Sequence, residues 1–311
     1  MTIAAAIVGY GSAGRQHAQA IKDSGSVELR AVVETDLAID TAACARRSSV
    51  AEVLRDPRID LVALCLPPGG RAELGRRVLG AGKALLVEKP PAMDVAELDD
   101  LLARAKTQQT VAAVMLQHRM LLPPEAFGAK WGPATTSVLE VSRPRSGDHY
   151  LTRRWRGQPE HALGGILAHL GVHYLDLACQ LLGRPAEVRL LGRRNRLPGI
   201  DSRVAGTVRF ESGAVLSFAV TSEAAMRSER LAVFGEKHSV VIENGAVMLN
   251  DGQGERAFDA IATPRLRSQV YREVALSIAA GEEPRRCSLH AARGVTMLLR
   301  DAVRDEGAAP C

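Results

Sequence analysis

Aromatic residues are scarce in this chain of 311 residues, and its positive charge is spread out instead of concentrated. Phe, Trp and Tyr make up only 4% of the sequence, and no basic run is interleaved with aromatic residues. Such interleaving is typical of sites that stack nucleic-acid bases. The formal net charge of +5 therefore predicts at most a site for an anionic small molecule, and no nucleic-acid partner.

Cysteines and long apolar runs are also few. The five cysteines form no C-x-x-C pair and are not interleaved with His at zinc-ligand spacing, so we expect a reduced chain without a zinc site. No apolar run reaches the roughly 18 residues that suggest a membrane span. The apolar stretch 3–8 is too short for a signal peptide, and no basic residue precedes it. We predict a cytoplasmic protein that does not bind membranes.

The first 120 residues alternate short apolar runs with helical patterns. Because parallel strands buried on both faces are continuously apolar, this alternation predicts a parallel sheet with right-handed crossovers. The predicted strands are 3–9, 27–33, 61–66, 84–87 and 110–116, and the predicted helices are 13–24, 37–46, 71–81 and 95–106.

After Pro123-Pro124 the strands follow one another closely. The pairs Ser212-Gly213 and Asn244-Gly245 favour hairpins, so we predict an antiparallel sheet. We place a domain boundary near residue 120, giving domains 1–120 and 121–311, with C-terminal helices that can pack back on the first domain. The predicted strands are 135–142, 186–193, 204–211, 214–220, 230–234, 239–243 and 246–249, and the predicted helices are about 165–182, 268–280 and 289–304.

A glycine motif follows the first predicted strand. Gly9-Tyr10-Gly11-Ser12-Ala13-Gly14 has the pattern G-x-G-x-x-G and opens a helix, and Glu34 stands twenty residues beyond Gly14. Such glycines let backbone amides approach a pyrophosphate, and the carboxylate binds ribose hydroxyls. We predict a dinucleotide site, and NAD over NADP, because neither Thr35 nor Asp36 is a cation that offsets Glu34. The alternative is a glycine turn with nothing bound. The predicted contacts are Gly9, Gly11, Ser12, Ala13, Gly14 and Glu34.

Lysine occurs at only six positions, and one of them follows the fourth predicted strand in Glu88-Lys89-Pro90-Pro91. This places Lys89 at the carboxyl edge, where open parallel sheets bind ligands. Its ammonium can hold a substrate hydroxyl and stabilise a developing alkoxide. The alternative is a surface lysine before a helix that starts at proline.

Two histidines and an aspartate share one face of the predicted helix 165–182. His169, His173 and Asp176 are spaced by four and three residues. A histidine near its ordinary pKa of about 6.5 suits a general base that takes an alcohol proton. The alternatives are buried core histidines and a metal pair. Only Asp176 is near in sequence as a further ligand, so we predict no metal.

Together with Cys65-Leu66-Pro67-Pro68, Gln117-His118-Arg119 and Trp155-Arg156, these motifs occur in order along the chain. The set resembles the glucose–fructose oxidoreductase, inositol dehydrogenase and rhizopine-catabolism family, called Gfo/Idh/MocA, over essentially the whole chain. The resemblance implies an α/β protein with an N-terminal Rossmann domain and a C-terminal domain with an open-faced, mostly antiparallel sheet. It also implies NAD(P)-dependent oxidation or reduction of sugars and related polyols.

The resemblance assigns roles residue by residue. Lys89 takes the place of the family's lysine and His173 that of its catalytic histidine, while Asp176 matches a substrate-side aspartate. His169 stands where an aspartate is usual, and Leu163 and Arg71 are smaller departures, where glycine and histidine are frequent. We predict Lys89, His173, His169 and Asp176 as catalytic residues. Further predicted cofactor contacts are Leu66, Pro67, Glu88 and Lys89, and further predicted substrate contacts are Arg119, His169 and Asp176.

A basic segment around residue 155 resembles that of members acting on nucleotide-linked sugars. Its guanidinium groups suit a phosphate or carboxylate, which arginine binds in a fork. The alternative is a solvated loop in an arginine-rich protein. The predicted substrate contacts here are Arg153, Arg154, Trp155 and Arg156.

The resulting functional hypothesis is an NAD-dependent oxidoreductase. It transfers a hydride between the cofactor and a secondary alcohol or ketone of a sugar, cyclitol or nucleotide sugar. One alternative is a member that retains NAD and catalyses elimination or glycoside cleavage. Another is a non-enzymatic, NAD-binding regulatory protein, an alternative favoured by the presence of His169 where the family usually has aspartate. Since an open-faced sheet presents apolar area, we also expect a homo-oligomer, either a dimer or a tetramer.

Overall fold

The computed structural model describes residues 2–41, 46–127, 131–146 and 154–305. A six-stranded parallel sheet occupies the N-terminal part, in the order β3-β2-β1-β4-β5-β6. Strands β1, β4, β5 and β6 are buried along their whole length, as expected for apolar strands covered on both faces. The strands are β1 Ile3–Val8, β2 Val27–Val33, β3 Arg46–Arg47, β4 Leu61–Leu64, β5 Ala84–Val87 and β6 Ala112–Val114.

Among the described residues, four helices connect these strands. They are α1 Ser12–Ser24, α2 Val50–Arg55, α3 Arg71–Gly80 and α4 Val95–Thr107. Ser49 and Glu52 form a capping box at α2, and Asp94 caps α4, so these helix starts are specified locally. The strand order reverses between β1 and β4, and ligands bind at such a switch point in open α/β sheets.

The helix predicted over 37–46 is wrong in its described part. Residues 37–41 form turns and bends, and Arg46 already belongs to β3. The Asp36 side chain accepts from the Ala38 amide at 2.9 Å, an aspartate turn that competes with the helical backbone. Residues 42–45 lie outside the described part of the chain. The helix next in sequence is α2, which the pattern did not predict.

A second sheet of eight strands has the order β14-β13-β12-β11-β7-β10-β9-β8. Its pairs are antiparallel except β7 with β10. Both predicted hairpins are confirmed, and Asn244 and Gly245 adopt positive φ of 48° and 92°, as a tight primed turn requires. The strands are β7 Thr136–Ser142, β8 Pro185–Leu197, β9 Ile200–Phe210, β10 Val215–Thr221, β11 Ser228–Phe234, β12 Ser239–Glu243, β13 Ala246–Asn250 and β14 Glu255–Phe258.

One face of this sheet is covered. Leu139, Leu216 and Leu231 are buried on adjacent strands while their chain neighbours alternate outward, the pattern of a half-covered antiparallel sheet. The predicted helix 165–182 is a π-helical turn at Leu167–Gly171 followed by α6 Val172–Leu182, and the π turn packs on β9 and β10. Ahead of it lies the short helix α5 Pro159–Ala162.

The last two helices of the described part of the chain are α7 Thr263–Ala280 and α8 Arg293–Arg304. The chain forms two compact units. The first comprises Met1–Met120 and Ala262–Arg293, and the second comprises Leu121–Ile261 and Gly294–Cys311. Helix α7 packs on α1, and residues 287–289 bond to β6 through the Val114 amide to Cys287 O (2.9 Å) and the Leu289 amide to Ala112 O (3.1 Å).

The two sheets confirm the predicted fold class, a parallel Rossmann sheet together with a mostly antiparallel one. Short 3-10 turns occur at Gln117–Leu121, Pro124–Ala126, Arg154–Gly157 and His290–Ala292. Within the described ranges, no helix has both the length and the apolar character needed to cross a membrane.

Candidate active site

The glycine loop after β1 is built by close backbone contacts. Gly9 has φ +89°, and a Cβ there would lie 2.8 Å from Cys65 O. A Cβ on Gly14 would lie 2.1 Å from Gly9 O. Only glycine fits both positions, and Gly11 forms the N-cap of α1 without a side chain. The loop therefore brings backbone and helix N-terminus within reach of a pyrophosphate, as a dinucleotide requires.

Glu34 follows β2 and binds this loop. One carboxylate oxygen accepts from the Tyr10 amide at 2.7 Å, and the other accepts from the Asp36 amide at 3.0 Å. The carboxylate is thus fixed at the carboxyl edge beside the glycines, where it fits ribose hydroxyls. Sequence reasoning missed Arg47, whose guanidinium donates to the main-chain carbonyls of Glu34, Asp36 and Ile39.

We expect this carboxylate to set the preference between the two nicotinamide cofactors. A 2′-phosphate near Glu34 is repelled by about 1–4 kcal/mol at contact distance, so the wild type binds NADH about tenfold or more tightly than NADPH. Glu34→Gln removes the charge and narrows this ratio. Dissociation constants for both cofactors, measured by fluorescence titration, check it. If the wild type binds NADPH more tightly than NADH, the cofactor preference would be assigned to Arg47 instead of Glu34.

A buried arginine joins the loops that follow β4 and β5. Arg71, 2% exposed, donates from Nη1 to Leu66 O at 2.9 Å and from Nη2 to Pro90 O. Burial lowers its pKa to about 10, against the attraction of Glu88, so it is still a cation at neutral pH. It ties the predicted cofactor contacts Leu66 and Pro67 to the loop that carries Lys89, a role its sequence position did not reveal.

Glu88 is buried, whereas Lys89 is half-buried at the sheet edge. Burial by itself would raise the pKa of Glu88. The neighbouring His17, Lys89 and Arg267 lower this pKa by more than burial raises it. The His17 Nε2 lies 3.0 Å from Glu88 Oε1. These groups hold the pKa of Glu88 at about 2. The Lys89–Pro90 peptide is cis. The two predicted residues therefore lie side by side, one as a buried anion and one as a partly exposed cation.

Arg119 is a buried residue that supports the fold. It is 0% exposed, and its Nη1 donates to the carbonyls of Arg286 and Ser288, both at 2.9 Å. A fully buried guanidinium that is bonded to two main-chain carbonyls is placed to hold the fold and not to bind a substrate. We therefore do not retain the predicted substrate contact, and we assign Arg119 to holding residues 286–288 against the parallel sheet.

In the second unit, the predicted histidines lie on the π turn and on α6. His169 is half-buried in the π turn, and His173, 7% exposed, lies in the first turn of α6. Asp176 is 0% exposed, and Gln180 donates to its Oδ1 at 3.3 Å. Because Asp176 is enclosed, its predicted contact with substrate is not retained. Such π turns are frequent at functional sites.

Asp201 holds the start of this segment. Its carboxylate accepts from the Gly165 amide at 2.7 Å and the Leu167 amide at 2.9 Å. A Cβ on Gly165 would lie 2.0 Å from Asp201 O, which explains why the chain has glycine there. Sequence reasoning missed Asp201, since it lies 36 residues away. The described residues contain no group of three or more His, Cys, Asp or Glu side chains placed to hold a metal.

Trp155 lies beside His169, and Arg156 lies over the ring of Trp155. Trp155 packs against Ala162 and Ile200, and its ring centroid lies 5.4 Å from that of His169. The Arg156 Cζ lies 5.5 Å from the Trp155 ring centroid, a cation–π arrangement. Three predicted residues of the second unit thus form one cluster. Arg153 and the side chain of Arg154 lie outside the described residues.

Comparison with known proteins places these features in a family. Residues 3–116 match the model of an oxidoreductase family with an NAD-binding Rossmann fold, and residues 132–241 match the GFO/IDH/MocA C-terminal domain. An uncharacterized Saccharomyces cerevisiae protein is 30% identical over 62% of this chain and 57% of its own length. The trans-1,2-dihydrobenzene-1,2-diol dehydrogenase of Bos taurus is 27% identical over 61% and 56%. The match thus spans little more than half of these relatives.

Solved structures of similar fold cover nearly all of the chain. A levoglucosan dehydrogenase in complex with NADH has a TM-score of 0.84 and 18% identity, covering 98% of this chain and 97% of that one. The UDP-N-acetylglucosamine 3-dehydrogenase of Acidithiobacillus ferrooxidans has a TM-score of 0.78 and 21% identity, covering 96% of each. The N-terminal family model and the glycine loop agree with the predicted cofactor, NAD. The chain belongs to the Gfo/Idh/MocA family of oxidoreductases, and its first unit has that family's NAD-binding Rossmann fold.

Proposed function

We propose that the protein is an NAD-dependent dehydrogenase or reductase. Its substrate is a secondary alcohol, or the corresponding ketone, of a sugar, cyclitol or nucleotide sugar. The observation that carries the proposal is the position of Lys89, a cation at the same sheet edge as the glycine loop. The names of similar proteins, which include a diol dehydrogenase and a nucleotide-sugar dehydrogenase, support a ring-bound hydroxyl as the reacting group.

Each proposed role follows from the chemistry of alcohol oxidation. Bound NAD supplies the hydride acceptor. Lys89 binds the reacting hydroxyl through Nζ and stabilises the charge that develops on its oxygen. His173 takes the hydroxyl proton as general base and returns it as general acid in the reverse direction. His169, half-buried beside Trp155, orients the substrate, and Asp176 acts from within α6 as a positioning residue.

A substrate screen tests this proposal against its alternatives. The purified protein is assayed for NADH formation with sugars, cyclitols, trans-diols and UDP- or dTDP-sugars, and any retained cofactor is identified by mass spectrometry. Stoichiometric reduction of free NAD supports the dehydrogenase. Product formation with a retained, recycled cofactor assigns elimination or glycoside cleavage instead, and NAD binding without turnover on any of these compounds assigns a regulatory protein.

The cluster of Trp155, Arg156 and His169 supports an anionic substrate group. An arginine held over an aromatic ring keeps its charge and presents a planar fork to phosphate or carboxylate. We propose that this cluster, with Arg153 and Arg154, binds such a group.

Replacing Arg153, Arg154 and Arg156 together with methionine is expected to raise KM for an anionic substrate at least about tenfold, since even one charge-assisted hydrogen bond contributes about 1.5–3 kcal/mol. The NADH dissociation constant and the KM for a neutral sugar stay nearly constant. Steady-state kinetics on a paired charged and neutral substrate measure this. Arg58→Met, an exposed arginine of the first unit, is the control. Equal effects on both substrates would indicate a solvated loop.

We also propose that the protein is a homo-oligomer that associates through the outer face of the eight-stranded sheet. The pairings Met248 with Val241 and Ala232 with Val138 bring these side chains into one row across the sheet. Apolar residues 41–44% exposed on this face are Val138, Val215, Phe234 and Met248. A contiguous apolar area of this kind favours burial against a second copy.

Val138→Lys is expected to dissociate the oligomer, because it places a charge in the apolar row. Sedimentation velocity at matched concentrations measures the change. Leu276→Lys, which alters a residue 72% exposed on α7, leaves the oligomeric state unaltered. A wild type that sediments as a monomer contradicts this proposal.

A further inference from the structure

A chain of buried polar groups crosses three elements of the first unit, and the proposed mechanism does not use it. His17 on α1 and Tyr271 on α7 are both 0% exposed. The His17 Nδ1 lies 2.7 Å from the Tyr271 hydroxyl, and Nε2 lies 3.0 Å from Glu88 Oε1. The two rings meet edge to face, with centroids 5.7 Å apart. Buried polar groups linked in this way fix side-chain positions.

The charge state of Glu88 sets the direction of its hydrogen bond with His17. With its pKa at about 2, Glu88 is a carboxylate at neutral pH and can only accept hydrogen bonds. The His17 Nε2 is therefore the donor to Oε1. Burial raises the pKa of Tyr271 well above its usual value, so its hydroxyl keeps its proton at neutral pH and is bonded to Nδ1 at 2.7 Å.

The series of hydrogen-bonded groups ends at the backbone amide of Lys89. The second carboxylate oxygen of Glu88, Oε2, accepts from the Lys89 amide at 3.0 Å. On the other side of Lys89, the Pro90 carbonyl accepts from Arg71. The backbone of Lys89 is thus held from both sides by buried groups.

We propose that Tyr271 and His17 are positioning residues for Lys89. They orient Glu88, which fixes the Lys89 backbone and hence the direction from which its ammonium reaches the substrate. The inference rests on the proposed function, since it takes Lys89 as the residue that binds the reacting hydroxyl. Neither His17 nor Tyr271 touches substrate in this role. Their replacement therefore acts on the chemical step more than on binding.

The test compares Tyr271→Phe, His17→Leu and His17→Gln with the control Ser268→Ala. Ser268 is also buried on α7, but its hydroxyl donates within that helix, to Arg265 O at 2.9 Å. We expect His17→Leu to lower kcat roughly 10- to 100-fold, as for a displaced catalytic group, and Tyr271→Phe to lower it less. KM and NADH affinity stay within about twofold. His17→Gln recovers most of kcat, because an amide both donates and accepts.

Hydrogen exchange of the Lys89 amide, followed by NMR, gives a readout that does not depend on turnover. Exchange is expected to become roughly five- to tenfold faster in Tyr271→Phe and His17→Leu, because the bond to Glu88 weakens. It stays at the wild-type rate in Ser268→Ala. Unaltered exchange and kcat in folded variants overturn the proposal. Tyr271→Phe, which keeps the ring, decides the matter if His17→Leu does not fold. Faster exchange in a protein whose wild type oxidises no alcohol contradicts the proposed function while supporting the positioning chain.

Discussion

Replacing His173 with alanine is expected to lower kcat by about 10²–10⁴-fold, the usual effect of removing a general base. The imidazole is 7% exposed in the first turn of α6, so His173→Gln, which fills most of the same volume, serves as a second variant. Both variants are expected to bind NADH as tightly as the wild type, because the glycine loop and Glu34 belong to the first unit. The measurement is kcat/KM against pH, with NADH binding as the check on folding.

His169 is the comparison within the same segment. His169→Ala is expected to lower kcat less than His173→Ala, because His169 orients the substrate in our assignment and carries no proton. His169→Asp introduces the carboxylate usual in the family. It is expected to keep measurable turnover and to move the acidic limb of the pH profile to higher pH, since a neighbouring carboxylate favours protonated His173. Near-normal turnover in His173→Ala, together with inactive His169→Ala, would reverse the two roles.

Lys89→Met is expected to lower kcat by about 10²–10³-fold, the effect of removing one donor to a developing oxyanion. Methionine keeps the length of the side chain but not its charge or its donors. Since the Lys89 amide still bonds to Glu88, the loop remains in place and NADH affinity is expected to change little. Single-turnover kinetics, which separate hydride transfer from product release, are the measurement.

Two further lysine variants make this result specific. Lys89→Arg keeps the charge in a larger planar group and is expected to recover only part of the rate. Lys22→Met removes a charge from an exposed position on α1 and is expected to leave the rate unchanged. A Lys89→Met enzyme as fast as the wild type would show that Lys89 is a surface residue, the alternative that its position before Pro90 left open.

Local signals account for the parts of the fold and site that could be predicted. Continuous apolar runs predicted β1, β4 and β5, because a strand buried on both faces needs apolar residues throughout. The glycine spacing and Glu34 predicted a dinucleotide loop, since the close approaches at Gly9 and Gly14 exclude any side chain. Even the π turn lies where a helix was expected, because its hydrogen bonds differ from an α-helix by a single residue.

The parts that sequence reasoning missed depend on distant contacts. Asp201 and Arg71 carry functions set by partners 36 and 19 residues away, and no local pattern identifies such partners. The helix predicted from residue 37 failed in its described part, residues 37–41, because an aspartate turn outweighed a weak apolar periodicity. Arg119 was taken as a substrate contact for a related reason: its motif gives the residue but not the carbonyls of Arg286 and Ser288 that enclose it.

The bonds between β6 and residues 287–289 determine when the edge of the parallel sheet can be paired during synthesis. The edge of β6 bonds to Cys287, Ser288 and Leu289, so it has no backbone partner on that side until the ribosome has made residues 287–289. An unpaired strand edge can join with another chain, and long-range closure of this kind slows folding. Until residues 262–293 are made, the nascent N-terminal half thus has an unpaired sheet edge at β6 and an α1 without α7 packed on it. Mutations that delay residues 262–293 would then expose the cofactor-binding half to aggregation on the ribosome.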